Sequence, residues 1–146
     1  MIDTDVLRSL LHATHRLTQL AARTTGSVIP SATWRALSTL EADGPQRVGE
    51  LASVNRVSQP GMSRLVAGML EDGLVRRHGD PDDSRASVIA LTDRGRDALD
   101  EWRRVVVAQL GPRFNSLDDE DWATLRRASA ILASRTSPNE ASEVAA

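Results

Sequence analysis

The stretch Ser58-Gln59-Pro60-Gly61-Met62-Ser63-Arg64 gathers residue types that can read a nucleic-acid duplex. Gln pairs bidentately with adenine, and Arg with guanine. A Ser and the free N–H groups at a helix start can bind phosphate. Gly61 has no side chain, which would let the backbone come close to a ligand. A second set, Asp80, Asp82, Asp83 and Arg85, lies in a polar stretch between two apolar ones. A lone Arg at a hairpin tip suits a narrow minor groove, where negative potential is concentrated. The three acids lack the Gly and Glu spacing of a calcium loop. They read instead as caps of the turn, or as partners that aim a neighbouring Arg. A third set is His12, His15, Arg16 and Trp34. Spacing of three puts both imidazoles on one helix face, as a metal pair would need. No Cys and no adjacent acid completes such a site, so interface or pH-sensitive hydrogen bonding fits the pair better. Arg16 could hold a carboxylate and Trp34 could stack on an aromatic ring; an interface charge and a core residue are the plainer readings. There is no nucleophile–base pair, Gly-rich phosphate loop or nucleophile elbow, and no enzyme is expected.

Helical periodicity places these residues on recognisable elements. Val6, Leu7, Leu10, Leu11, Leu17, Leu20 and Ala21 mark a first helix over 4–23, ended by Thr24-Thr25-Gly26. Pro30-Ser31 starts a second, with Ser31 as its cap and Trp34, Leu37 and Leu40 inward; Asp43-Gly44-Pro45 stops it. A short helix spans 48–54, and Asn55-Arg56-Val57 is a tight connection. Ser58 caps a fourth helix with Pro60 in its first turn. Met62, Leu65, Val66, Met69 and Leu70 form its apolar stripe, and Gly73 follows its end. Residues 74–78 and 87–91 read as two short strands around a polar turn, 79–85. Thr92 caps a long helix whose apolar side is Ala98, Leu99, Trp102, Val105, Val106 and Leu110, broken at Gly111-Pro112. Residues 116–121 start a last helix, with Trp122, Leu125, Ser129 and Leu132 inward. Thr136 to Ala146 is small, polar and acidic and reads as a flexible tail.

The fold class expected is mainly α: a winged helix-turn-helix with a two-stranded hairpin wing. Residues 31–95 would form the DNA-binding lobe, and 1–30 with 96–135 a helical dimerisation region. The 146 residues are 40% hydrophobic and 26% charged, enough for a core without staples. With no Cys, disulfide scaffolds and thiolate chemistry are excluded. Without Tyr and with 3% aromatics, no stacking platform for single strands is expected. No apolar run approaches a membrane span, and the acidic N-terminus does not resemble a secretory signal. A cytoplasmic protein with no membrane partner and no cofactor is expected. All 18 basic residues are Arg. One feature sits less well with DNA: residues 31–95 hold eight Arg against nine acids, a net of −1.

Ser58 to Val66, Leu70 to Arg77, Asp80 to Arg85 and Val88 to Gly95 together resemble the MarR family of winged helix-turn-helix transcriptional regulators. The wing pattern Asp-x-Arg followed by Leu-Thr-x-x-Gly is the more specific part, and the resemblance covers roughly residues 4–135. It implies a homodimer on palindromic double-stranded DNA, acting as a repressor released by a small, usually aromatic and anionic effector. It puts Gln59, Pro60, Ser63 and Arg64 at positions that face bases. Arg56, Arg76, Arg77 and Ser87 match positions that touch phosphate or support the wing. Arg85 would enter the minor groove, and Asp83 matches the wing acid that tethers a basic residue. The effector site it implies, between dimer arms and DNA-binding lobe, would draw on His12, His15, Arg16 and Trp34. The alternative is a winged helix used only for protein–protein interaction.

Overall fold

A computed structural model describes residues 1–24 and 31–137. Helix α1 (Thr4–Thr24) is followed by α2 (Ser31–Asp43), α3 (Val48–Asn55) and α4 (Gln59–Glu71). Strands β1 (Val75–Asp80) and β2 (Asp83–Leu91) come next, then α5 (Asp93–Leu110), a 3₁₀ turn (Gly111–Phe114) and α6 (Asp119–Arg135). The expected order of elements and the fold class hold throughout. Ser31 is the first residue of α2; Thr25, Gly26 and Pro30 lie outside the described residues, as does the tail from residue 138.

The stops and starts have local causes. Gly44 at φ +78° and Gly73 at φ +71° follow α2 and α4 in the left-handed region that glycine tolerates. Thr92 Oγ1 accepts the Gly95 N–H at 3.0 Å and donates to the Gly73 carbonyl at 2.6 Å. One hydroxyl thereby caps α5 and binds the helix start to the α4–β1 turn.

Helices α2, α3 and α4 close a core with the hairpin root and the start of α5. Leu37, Leu51, Met62, Ile89 and Leu99 are fully inaccessible there. The α4 stripe divides: Met62, Val66 and Met69 are buried, while Leu65 and Leu70 pack against the core from its edge. Burying each such side chain contributes roughly 1.5–3 kcal/mol. A smaller cluster joins Ala21 of α1 to Val106 and Leu110 of α5.

Two expectations need correction. The hairpin is longer than the apolar runs suggest, with only Pro81-Asp82 left between its strands. The ladder is regular from Val75↔Leu91 to Gly79↔Ser87, then shifts so that Asp80 faces Asp83. Ser84, Arg85 and Ala86 therefore bulge from β2, and Arg85 sits in that bulge instead of at the tip. Asp80 accepts the Asp82 N–H at 2.9 Å and Asp83 accepts that of Arg85 at 3.0 Å. These side-chain acceptors hold the tip in shape despite its poor strand propensity. The other correction concerns α6, which buries none of its residues. Trp122, Leu125 and Ser129 are exposed and Leu132 is half-buried. Spacing identified the apolar side of α6, but among the described residues only Phe114 is placed against its rings, 6.3 Å from Trp122, and most of that side stays uncovered.

Candidate nucleic-acid interface

The connection between α3 and α4 is made by Arg56, whose φ of 52° is the one positive value at a non-glycine among the described residues. Its N–H returns to the Ser53 carbonyl at 3.2 Å, which ends α3. A left-handed conformation is costly for a residue with a Cβ. Gly or Asn would relieve that cost but would lack the exposed guanidinium.

Ser58 then starts α4, accepting the Gly61 N–H at 3.1 Å on Oγ. Ser58, Gln59, Pro60, Ser63 and Arg64 are exposed, backed by buried Met62 and Val66. Gly61 is half-buried, and a Cβ there would meet Ser58 Oγ at 3.0 Å and Val57 Cγ1 at 3.1 Å. Its missing side chain serves the helix cap, a reason that sequence reading did not supply. The Gln59 amide lies 3.8 Å from where a Cβ on Gly49 would stand, so it leans over the start of α3.

On the wing, Arg76, Arg77 and Arg85 are exposed, and Arg77 Nη1 donates to Ser87 Oγ at 3.0 Å across the hairpin. Asp83 binds the backbone of Arg85 but not its guanidinium. The basic partner of the wing acids is Arg47: its Nε donates to Asp80 Oδ2 at 2.7 Å, and its Nη2 stands 3.8 Å from Asp83 Oδ2. The Asp82 backbone N–H, and next the Arg47 side chain, hold the Asp80 carboxyl below its ordinary range. The hydrogen bond to Asp80 correspondingly raises Arg47. Arg56, Arg64, Arg76 and Arg85 enter no ion pair among the described residues. The net acidity of residues 31–95 thus conceals exposed cations that no acid compensates, Arg56, Arg64, Arg76 and Arg85 among them, while Asp80 and Asp83 are turned to Arg47 and the turn.

The remaining candidates are scattered. His12, His15 and Arg16 are exposed on α1, and Trp34 is buried in the lobe. Trp34 stacks on Trp102 of α5, centroids 5.3 Å apart and planes at 20°. Both indoles border a cavity of about 360 Å³ between α1, α2 and α5, with Thr18, Arg35 and Asn55 also lining it. Both indole N–H groups are buried without an acceptor among the described residues. Arg16 lines a different cavity, with Arg23 and Arg113. The structure therefore does not bring Arg16 to Trp34, and neither histidine lines either cavity. Among the described residues no three His, Cys, Asp or Glu side chains are grouped to hold a metal. Trp102 and Arg47 are the residues that sequence reading left out of the site. Periodicity assigns Trp102 only to the apolar side of α5. Arg47 had one signal: a cation where a short helix wants a capping oxygen.

Comparison with known proteins places this geometry. Residues 29–86, from α2 to the wing, match the model of the MarR family. A relative from Mycobacterium bovis, described as an uncharacterised HTH-type transcriptional regulator, is 30% identical over 135 residues, covering 90% of this chain and 94% of its own. The chain belongs to the MarR family. A MarR-family regulator from Silicibacter pomeroyi shares the fold at a TM-score of 0.57 and 28% identity, with 86% of each chain covered. MarR itself from E. coli superposes at a TM-score of 0.67 and 19% identity, over 90% of this chain and 97% of that one. The protein is thus a winged-helix transcriptional regulator of the MarR family, with the DNA binding that the family implies. No described helix is long and apolar enough to cross a membrane.

Proposed function

We propose that this MarR-family regulator binds palindromic duplex DNA as a homodimer and represses until a small aromatic acid releases it. The observation that carries the reading is α4 itself. Its cap and first two turns offer Ser58, Gln59, Pro60, Gly61, Ser63 and Arg64 on a helix backed by the buried side chains of Met62 and Val66. In this reading α4 enters the major groove, with Gln59 and Arg64 reading base edges. Arg85 probes the minor groove. Arg56, Arg76 and Arg77 contact phosphates, while Ser87 and Asp83 support the wing. The dimer is supported by Leu7, Leu11, Trp122, Leu125 and Ile131, apolar side chains that α1 and α6 leave exposed. A two-fold dimer reads a two-fold-symmetric site.

The effector reading rests on the cavity beside Trp34 and Trp102. The two stacked rings supply aromatic walls, and Arg35, which also lines the cavity, would meet a carboxylate. Arg16 and the two histidines keep a part only if a partner chain brings them there. Wild-type protein titrated against its upstream intergenic DNA, at two salt concentrations and with unrelated duplex as competitor, tests the reading. Specific binding that weakens steeply with salt is expected, since phosphate contacts release counterions. Equal weak binding to both duplexes would favour the protein-interaction alternative, to which the net charge of −1 over residues 31–95 lends support. Release by benzoate or a hydroxylated analogue, lost in Trp34→Ala, checks the effector site.

A further inference from the structure

Arg47 occupies the N-cap position of α3, at φ −67° and ψ 152°. That position favours Ser, Thr, Asp or Asn, whose oxygen satisfies the free N–H groups of the first turn. Arg has no acceptor to offer, and its cation stands at the positive end of the helix dipole. Glu50 compensates in part, its Oε2 accepting the Arg47 N–H at 3.0 Å. The side chain is thus a poor cap. Its reach goes elsewhere, to Asp80 Oδ2 at 2.7 Å near the wing tip.

The wing is held to α3 at two levels. At its root, Gln46 and Ile89 exchange backbone hydrogen bonds of 3.0 and 2.7 Å. Farther out, Asp80 is the residue at which the ladder shifts register, directly across from the bulge that carries Arg85. The Asp80 side chain is only 8% exposed, with one oxygen on the Asp82 N–H and the other on Arg47. Beyond the root, Arg47 makes both ion pairs that join the wing to the rest of the lobe among the described residues, the second and longer one to Asp83 Oδ2 at 3.8 Å.

We infer that Arg47 is a positioning residue for DNA recognition: its pair with Asp80 latches the wing to α3 and fixes where Arg85 stands relative to α4. The inference rests on the reading that Arg85 contacts DNA. It reverses the expected role of an acid near a phosphate backbone. An unlatched Asp80 would only repel DNA, so removing its charge would tighten binding. As a latch, Asp80 assists binding and its removal loosens it.

The test uses a fluorescein-labelled duplex selected from a random pool by the wild-type protein, with affinities read by anisotropy at fixed salt. Asp80→Asn and Arg47→Ala are each expected to bind about fivefold more weakly, a coupling of the size found for contacting residues. Arg85→Ala loses about tenfold. Adding Arg47→Ala to Arg85→Ala then costs less than about twofold further, because Arg47 acts through Arg85. Asp80→Asn is nearly isosteric and keeps the helix start of α3, so it carries the test if Arg47→Ala melts early. Wild-type or tighter binding by Asp80→Asn overturns the latch. So do multiplying losses in the double variant together with a salt slope reduced by about 0.9, which would make Arg47 a phosphate contact in its own right. Arg85→Ala binding like wild type would instead remove the wing reading beneath it, a result separable from the other two.

Discussion

The lobe from α2 to the start of α5 and the arms α1 and α6 each carry apolar side chains at helical spacing, yet they end in opposite conditions. In the lobe Leu37, Leu51, Met62, Ile89 and Leu99 are fully inaccessible. In the arms, α1 buries Ala21 and α6 buries nothing, while Leu7, Leu11, Trp122, Leu125 and Ile131 stand exposed. The difference is where the covering surface comes from. Each lobe helix meets its complement on other elements of the same chain. The arms have their complement, in the dimer reading, only on a second copy. Lobe stability should therefore be independent of concentration, and arm order should follow mass action.

The sharpest way to break the closed half of this contrast is Gly95→Ala. A Cβ there would run into the Leu74 carbonyl and lie 2.7 Å from Leu91 Cδ1, and backbone cannot swing aside as a side-chain end can. We expect a loss of about 3 kcal/mol or more in chemical denaturation, at the upper end for overpacking. A wild-type midpoint would mean that the junction of α5 with the α4–β1 turn is looser than described.

The open half is tested by Leu11→Asp on α1. A charge in the centre of an interface should weaken the dimer by at least about thirtyfold, as for a hot-spot residue. Sedimentation should then show monomer while the lobe unfolds at its usual denaturant midpoint. An unchanged dimer would place the interface elsewhere.

Arg64→Ala probes the function of the lobe without touching its core. Operator affinity should fall about tenfold, the size of a lost bidentate base contact, with the dimer intact. Unchanged binding would remove Arg64 from the reading residues. The smallest effect is expected for Arg104→Ala, which breaks an exposed pair with Glu101 at 2.9 Å on α5. Stability should change by less than about 0.5 kcal/mol, since such pairs are solvated and screened. A larger loss that grows with protein concentration would indicate that Arg104 belongs to the dimer face.

Much of this was legible before any coordinates. Ser58 with Pro60, Thr92 with Asp93, and Gly44 and Gly73 each act on their immediate neighbours, so their capping and turning roles follow from local chemistry. The α4 stripe and the element order follow from periodicity for the same reason. Three features were decided only by the tertiary structure. The wing extends past its apolar residues because a ladder, once begun, pairs whatever backbone comes next, and Asp80 and Asp83 supply caps that propensity does not count. Arg47 meets Asp80 across a gap of 33 positions, a contact that no local pattern encodes. Trp34 and Trp102 stack and line a cavity, a pairing of α2 with α5 that no local pattern encodes. The sequence by itself determined which helices and strands form and which face of each is apolar, since those depend on neighbours within a few residues. What covers each face, and which distant charge answers another, depends on how the elements pack, and that was settled only in three dimensions.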